Sequence, residues 1–210
     1  MDAVVFDYGG VLTTPVRAAT GRWLADEGID AGVYRQVMRD WMGSGAVDGS
    51  PVHRLETGEL ADAEFERALA DRLSADTGVP VAADGLLLRM LGGLRPDPVM
   101  LALLDQLRAA GVRVGLLSNS WGTHPYPEHV LAHLDPVVIS GQVGLRKPDP
   151  RIYRLTLDQL GASPDRVAYV DDLAMNVAAA AELGMYAHRH TDAVTTRAAL
   201  AGLLPEVAHD

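Results

Sequence analysis

The sequence predicts an α/β fold built on a doubly wound parallel sheet. After Pro96, short apolar runs alternate regularly with segments of helical spacing, and only a few residues connect them. Before Pro96, one apolar run at residues 4–6 precedes a long stretch of helical character. Regular strand–helix alternation is typical of a Rossmann-like parallel sheet, and the long helical stretch is then an α-helical insertion after the first strand.

The first half of the chain contains one predicted strand and the insertion. Residues 4–6 (VVF) suit a short strand that is buried on both faces. One helix of the insertion has apolar residues at helical spacing, and Asp62 is placed to cap its start. Helical character is interrupted at Gly28 and at residues 43–51, 78–80 and 92–93.

The second half of the chain predicts four more strands with helices between them. The glycine or proline at the border of most segments gives each element a defined end. Strands are predicted at residues 112–118, 136–140, 166–172 and 185–189. Helices are predicted at residues 98–111, 127–134, 150–161, 173–184 and 192–204.

Composition limits the classes of function. The 210 residues, of which 48% are hydrophobic, are enough for one substantial core. A net charge of −10 disfavours a nucleic-acid partner. The absence of cysteine excludes disulfides, thiolate catalysis and zinc–thiolate sites, and it fits a cytoplasmic protein. The N-terminus lacks the basic segment of a signal peptide and no apolar run is long enough to span a membrane, so no membrane partner is expected. Monomer and dimer both stay open.

Polar and charged residues follow four of the predicted strands. Because ligands bind at the carboxyl ends of the strands in open parallel sheets, these residues are expected to meet at one edge. Each of them alone has an ordinary explanation as a turn or helix cap, but such a coincidence at four strand ends is improbable. The residues are, in strand order, Asp7; Ser118 and Asn119; Lys147; and Asp171 and Asp172.

These residue types together indicate phosphoryl chemistry. Three carboxylates at one edge would repel each other, and a divalent cation relieves that repulsion. Oxygen ligands without cysteine or clustered histidine favour Mg²⁺. One carboxylate is then available as a nucleophile, Lys147 supplies a positive charge, and Ser118 supplies a hydroxyl. A metal, an ammonium and a hydroxyl around one point can hold a phosphoryl group.

Four motifs make the sequence resemble the haloacid dehalogenase superfamily of aspartate-nucleophile hydrolases, in its phosphatase-like branch. They are VVFDYGGVL, VGLLSNS, GLRKPDPRIY and VAYVDDLAMNVAAAAELGM, which occur in the family's order over nearly the whole chain. The resemblance implies a Rossmann-like catalytic core at residues 1–14 and 96–210. Residues 15–95 would form the family's small helical cap. A small phosphorylated metabolite is the implied substrate.

The resemblance also implies roles for the matching residues. Asp7 would attack phosphorus and form an aspartyl-phosphate. Mg²⁺ would be held by Asp7, the main-chain carbonyl of Gly9 and Asp172. Ser118 and Lys147 would bind the phosphoryl group that is transferred.

Three further positions have supporting roles in the family. Asn119 would lie beside the phosphoryl group and help to bind it. Asp171 would orient the water shell of the metal or Lys147. Asn176 stands where many relatives have another acid, and its neutral amide would hold a metal-bound water.

Gly9 departs from the pattern of the family's phosphatases, which have a second aspartate two residues after the nucleophile. That aspartate protonates the leaving group, and general acid–base catalysis contributes about 10²–10⁴ in rate. Three explanations stay open. The substrate has a good leaving group, or Thr13, Thr14 or His53 replaces the acid, or the activity is weak or lost.

Two other functions are therefore kept as alternatives. A 2-haloacid dehalogenase needs no proton for its leaving halide, although the pair of Asp171 and Asp172 suits a metal that this branch does not use. A catalytically weak phosphate-binding protein is the second alternative. The cap is expected to select the substrate, and Trp41, His53 and Arg54 could lie over the pocket.

Overall fold

The computed structural model describes residues 1–42, 49–122 and 126–203. It contains five strands, β1 (Ala3–Phe6), β2 (Arg113–Ser118), β3 (Val137–Ile139), β4 (Val167–Asp171) and β5 (Tyr186–Arg189). The helices before β2 are α1 (Val16–Asp26), α2 (Ala31–Met42), α3 (Pro51–Glu56), α4 (Asp62–Thr77), α5 (Leu86–Leu91) and α6 (Pro98–Ala109). The later helices are α7 (Glu128–Leu131), α8 (Ser140–Val143), α9 (Pro150–Leu160), α10 (Ala174–Glu182) and α11 (Ala193–Ala201).

The five strands form one parallel sheet in the order β3-β2-β1-β4-β5, which confirms the predicted fold class. The central strand sets the register, because Phe6 pairs with Leu116 of β2 and with Val170 of β4. The residues that follow these three positions therefore lie at the same edge of the sheet. The change of direction on either side of β1 creates the crevice in which ligands bind in doubly wound sheets.

Side chains from β1 point alternately to the two faces of the sheet. Val4 and Phe6 pack with α6 on one face, where Leu103 and Leu107 are buried. Ala3 and Val5 pack on the other face against a second cluster that contains α9. Both faces of β1 are covered by helices, and all four residues of the strand are apolar and buried; Asp7 is the first polar residue after it.

The helices α1–α5 lie between β1 and β2 in sequence and have a hydrophobic core of their own. Its buried members include Trp23, Val37, Phe65, Leu69 and Met90. The segments that enter and leave this insertion run side by side. Thr13 forms an isolated antiparallel bridge with Pro96, and the Leu12 carbonyl accepts the N–H of Asp97. The domain boundaries at residues 14/15 and 95/96 stay a prediction.

Local details differ from the predicted elements in two places. Asp62 is the first residue of α4 rather than its cap; Ala61 is the N-cap, and the Glu64 carboxylate accepts its N–H. Ser140, predicted as the last residue of a strand, is instead the first residue of the four-residue α8, which is too short to show a helical period. Residues 43–48, in a predicted break, and Leu204, in the predicted closing helix, lie outside the described residues. No helix in the described ranges is both long and apolar enough to cross a membrane.

Candidate active site

Asp7 lies at the first residue beyond β1, where its N–H donates to the Val170 carbonyl and continues the pairing with β4. Its side chain is buried. The carboxylate Oδ1 accepts a hydrogen bond from Lys147 Nζ at 2.6 Å. The sequence therefore places a buried carboxylate at the end of the central strand, in direct contact with Lys147.

Lys147 is the cation at the centre of the site, and its side chain is 1% exposed. Its ammonium donates to Asp7, to Asp171 Oδ2 at 2.7 Å and to the Leu117 carbonyl at 2.9 Å. All three ammonium protons thus have acceptors. Burial alone would lower the pKa of Lys147, but the charges of Asp7 and Asp171 outweigh that effect and raise it, so the group stays charged.

Asn119 fixes the main chain of Lys147. Its Oδ1 accepts the Lys147 N–H at 2.8 Å, and its Nδ2 donates to the Lys147 carbonyl at 3.1 Å. The two bonds hold the lysine backbone from both sides, as in a strand pair. The structure thus places the Asn119 side chain on Lys147, and the predicted contact of Asn119 with a substrate stays a prediction.

Asp171 is buried behind Lys147 and accepts several further hydrogen bonds. Tyr169 Oη donates at 2.5 Å, the Leu173 N–H at 2.8 Å, and Asn176 Nδ2 to both carboxylate oxygens at 3.1 and 3.0 Å. Burial opposes ionisation, but the charge of Lys147 and these bonds outweigh it and lower the pKa of Asp171. Asp171 is therefore an anchor for Lys147, and Asn176 supports that anchor.

Asp172 completes a group of three carboxylates with Asp7 and Asp171, whose oxygens lie within 4.8 Å of one another. Gly10 makes this approach possible. It has a φ of 84°, and a Cβ there would lie 3.0 Å from Asp172 Oδ2. Gly9 has no positive φ, and a Cβ there would lie 3.4 Å from Val16 Cγ2. The turn itself thus favours a glycine at position 10, whereas the backbone at position 9 could accept a side chain.

The carboxylates have more negative charge than Lys147 balances. Burial, opposed by Lys147 and reinforced by neighbouring carboxylates, raises the pKa of Asp7 to about 7. Burial and the charge of Asp171 raise the pKa of Asp172 to about 6. An all-oxygen donor set with unbalanced negative charge fits a hard divalent cation such as Mg²⁺.

Ser118 ends β2 beside Asp7 and Lys147, and its Oγ accepts a hydrogen bond from Tyr126 Oη at 3.0 Å. Its own proton has only a long contact, 3.5 Å, with the Asn119 carbonyl among the described residues. Burial raises the pKa of Tyr126 to about 12, so this phenol stays a donor. The Tyr126 ring packs edge-on against Tyr8, with centroids 4.7 Å apart. Because the Ser118 oxygen accepts from Tyr126, the Ser118 proton is free to donate to another acceptor.

Tyr126 and Tyr169 are the site residues that the sequence patterns did not identify. Tyr169 had a usable signal, because it lies two residues before Asp171 on β4 and therefore points to the same face of the sheet. Tyr126 had none, because it comes from the segment after β2, eight residues beyond Ser118.

Of the residues expected to replace the acid that Gly9 lacks, Thr13 and Thr14 have other hydrogen-bond partners and His53 lies in the helical insertion. Thr13 Oγ1 accepts the Gly10 N–H at 2.9 Å and donates to the Thr14 carbonyl at 3.0 Å. Thr14 Oγ1 accepts the Arg95 N–H at 3.2 Å. His53 is a half-buried residue of α3.

The structure also places the other two residues that were expected over the pocket, Trp41 and Arg54, in the helical insertion. Arg54 is exposed on α3. Trp41 packs edge-on against Phe65, with centroids 6.0 Å apart, and Trp121, which follows β2, packs against the same ring at 5.9 Å. Trp41 is thus part of the aromatic packing between the helical insertion and the segment after β2.

Comparison with known proteins identifies the family of this chain and several relatives. The family model for haloacid dehalogenase-like hydrolases matches residues 1–184. Acyl-CoA dehydrogenase family member 10 of Mus musculus is 32% identical over 190 residues, which is 88% of this chain but only 17% of that protein. Sesquiterpene phosphatase astK of Aspergillus oryzae is 29% identical over 205 residues, which is 92% of each protein.

Solved structures share the fold. The magnesium complex of the HAD family enzyme bt-2542 from Bacteroides thetaiotaomicron has a TM-score of 0.68 at 22% identity and covers 90% of this chain and 93% of that one. A structure described as a dehalogenase has a TM-score of 0.64 at 24% identity and covers 97% of each chain. At these identities the likeness shows the fold alone. The family match, the parallel sheet and the acidic edge agree, and the chain belongs to the haloacid dehalogenase-like hydrolase family.

Proposed function

We propose that this protein is a Mg²⁺-dependent phosphatase that acts on a small phosphorylated metabolite through an aspartyl-phosphate at Asp7. The observation that supports the proposal most is the contact of the Asp7 carboxylate with Lys147 beside Asp171 and Asp172. This arrangement combines a nucleophile, a fixed positive charge and an oxygen-rich cation site within a few ångströms. The net charge of −10 supports a small molecule rather than nucleic acid as the partner. The cytoplasmic location stays a prediction.

The proposed reaction has two displacement steps at phosphorus. The Ser118 hydroxyl donates to a phosphoryl oxygen, and the positive charge of Lys147 stabilises the negative charge of the phosphoryl group. The Asp7 oxygen that does not face Lys147 attacks phosphorus. The bond from phosphorus to the leaving oxygen breaks, and that oxygen takes a proton from solvent. Water then hydrolyses the aspartyl-phosphate, which releases inorganic phosphate and restores the Asp7 carboxylate.

Asp7, the Gly9 carbonyl and Asp172 are the groups proposed to hold Mg²⁺. When bound, the ion would neutralise phosphoryl charge and orient the group for attack. Asp171, which Tyr169 and Asn176 saturate with hydrogen bonds, would hold Lys147 beside the phosphoryl group. The solved magnesium complex of bt-2542 supports the metal by analogy of fold.

Gly9 points to a substrate with a good leaving group. The nearest side chain to the missing Cβ is Val16, which cannot donate a proton. Thr13 and Thr14 have hydrogen-bond partners in the turn. In acyl phosphates and anomeric sugar phosphates, the oxygen that leaves phosphorus does so without strong acid assistance. We therefore propose these two substrate classes.

A screen of phosphorylated metabolites, with Mg²⁺ or with excess chelator, tests the proposal. Phosphate release that requires Mg²⁺ and is lost in Asp7→Asn would support it. Halide release from a 2-haloacid in excess chelator would instead establish the dehalogenase alternative, which the absence of an acid at Gly9 favours. Tight phosphate binding without turnover of any ester would establish the phosphate-binding alternative.

A further inference from the structure

Glu56 is a buried charge outside the acidic edge. In the described part of the chain, four Asp, Glu, Lys or Arg residues are buried. Three of them, Asp7, Lys147 and Asp171, form the site. The fourth is Glu56, at the end of α3 in the helical insertion, and its side chain is 3% exposed. Burying an unpaired carboxylate costs free energy, so the residue that pairs with Glu56 indicates the structural role of its charge.

The partner of Glu56 belongs to the catalytic core. Glu56 Oε2 accepts a hydrogen bond from Arg146 Nε at 2.5 Å. Arg146 directly precedes Lys147 in the chain. The Lys147 ammonium is held by Asp7 and Asp171, and its main chain by Asn119, so the ion pair with Glu56 fixes the residue next to this clamp.

The main chain of Glu56 binds a second part of the core. Its carbonyl accepts hydrogen bonds from Ser140 Oγ at 2.5 Å and from Ser120 Oγ at 3.4 Å. Ser120 follows Asn119, and its N–H donates to Ser140 Oγ at 2.8 Å. The carboxylate and the carbonyl of one cap residue thus touch both segments that set the position of Lys147, residues 119–120 and residue 146.

The main chains of Gly58 and Gly141 approach each other closely, so the contact around Glu56 is tightly packed. Gly58, two residues after Glu56, has a φ of 76°. A Cβ there would lie 2.7 Å from the Gly141 carbonyl oxygen. The Gly141 N–H donates to Ser120 Oγ at 3.1 Å. We call Glu56, Gly58, Ser120, Ser140, Gly141 and Arg146 the cap-seating contact.

We propose that Glu56 is a positioning residue through which the seated cap holds Lys147 in place for phosphoryl binding. The inference rests on the proposed function, and it adds that the helical insertion contributes to the chemistry as well as to substrate selection. Without the Glu56 carboxylate, Arg146 loses its buried partner, so the flank of the lysine clamp at residue 146 loosens. The bond from the Ser120 hydroxyl is to the main-chain carbonyl of residue 56, which stays in the variant. Displacement of a catalytic group by about 1 Å can cost on the order of 10²-fold in rate.

The activity test compares Glu56→Gln with Glu59→Gln in the full chain with Mg²⁺. Glu59 is exposed in the same cap segment, so its variant matches the change in charge. Acetyl phosphate is the main substrate because it is too small to need recognition by the cap. We expect kcat/KM for acetyl phosphate to fall about 10- to 10²-fold in Glu56→Gln and to stay at the wild-type value in Glu59→Gln. A loss confined to bulky substrates would overturn the inference, since Glu56 would then serve recognition only.

A second measurement does not depend on activity. Lys147 is the only lysine in the chain, so ¹⁵N-lysine labelling gives a single lysine amide signal. That amide donates to Asn119, so its chemical shift and hydrogen exchange report on the clamp. We expect the signal to move and its exchange to accelerate in Glu56→Gln but not in Glu59→Gln. An unchanged signal in Glu56→Gln would overturn the inference.

Two further variants separate positioning from general destabilisation. Arg146→Met should produce the same loss as Glu56→Gln, and the double variant should lose no more than either single variant, because the residues act as one pair. Additive losses would overturn the pairing.

Gly58→Ala should displace the cap and shift the lysine signal without a change in charge. If the wild type hydrolyses no phosphate ester while the signal still responds to Glu56, the proposed function fails and the positioning of Lys147 by the cap stands.

Discussion

The ammonium of Lys147 lies 2.6 Å from the carboxylate of Asp7, although 140 residues separate them in the chain. The same ammonium contacts Asp171 at 2.7 Å, so one buried cation holds two buried carboxylates. Parallel strands bring these groups to one edge, and the lysine makes their proximity possible. Removing the lysine should therefore affect folding as well as catalysis.

We expect Lys147→Gln to lower the free energy of unfolding by about 3–5 kcal/mol at neutral pH, because two buried carboxylates lose their partner. Urea denaturation of the metal-free protein would measure this change. Arg151→Gln is the control, since its ion pair with Asp149 involves an arginine side chain that is 69% exposed. That variant should change stability by less than about 1 kcal/mol. Equal effects of the two substitutions would contradict the structural role of Lys147.

We expect Mg²⁺ to raise the melting temperature more at pH 8 than at pH 5. In the metal-free protein the pKa of Asp7 is raised to about 7 and that of Asp172 to about 6. The folded state thus binds protons more tightly at these groups than the unfolded state does. Their contribution to stability is present at low pH and is lost as the pH rises through about 6–7. A metal replaces the protons only above that range.

The control compares samples with Mg²⁺ and with chelator at each pH. The lowered pKa values of His188 and His190 add a pH dependence of opposite sign, but it is common to both samples and cancels in the difference. Asp172→Asn should reduce the effect of Mg²⁺ at pH 8. A shift in melting temperature that is independent of pH would show that the cation binds elsewhere.

Much of the site could be predicted because strand ends are visible in a sequence. Asp7, Ser118 and Asp171 each follow or end an apolar run, and parallel strands place such residues at one edge whatever their separation in the chain. Glu56 and Tyr126 could not be found in this way. Glu56 reaches Arg146 across 90 residues through the seating of the cap, and Tyr126 reaches Ser118 through the path of a loop. Neither the contact between the helical insertion and Arg146 nor the path of the loop that carries Tyr126 produces a periodic pattern in the sequence.

We expect the rate for wild type to depend steeply on the pKa of the leaving group, because no acid stands at Gly9. Acetyl phosphate and nitrophenyl phosphate should react much faster than alkyl phosphates. Gly9→Asp should accelerate alkyl phosphates most, by up to about 10²-fold. The substitution is compatible with the backbone, because Gly9 has no positive φ. Gly9→Ala, which adds the Cβ without the acid, should give no such gain.

Gly10→Ala provides the contrast with Gly9. With a φ of 84° at this position, the substitution should cost at least about 1 kcal/mol of stability.

A flat dependence on leaving-group pKa in the wild type, with chemistry shown to be rate-limiting, would mean that another acid acts in the site.

We expect Tyr126→Phe to lower kcat/KM about 10-fold with little change in melting temperature. The reason is that Ser118 loses the donor that orients its proton, and loss of one hydrogen bond costs about 0.5–1.5 kcal/mol. A double-mutant cycle with Ser118→Ala gives the decisive measurement. If Tyr126 acts through Ser118, Tyr126→Phe should cause no further loss in the Ser118→Ala background. Equal losses in both backgrounds would show that Tyr126 acts by another route.

The covalent intermediate at Asp7 is the central claim, and acid-quenched mass spectrometry during turnover of acetyl phosphate tests it most directly. The account predicts a phosphoryl adduct on the peptide that contains Asp7, present with Mg²⁺ and absent in Asp7→Asn, which should fold and lose turnover. Near wild-type turnover by Asp7→Asn, or an adduct on another residue during turnover, would contradict it.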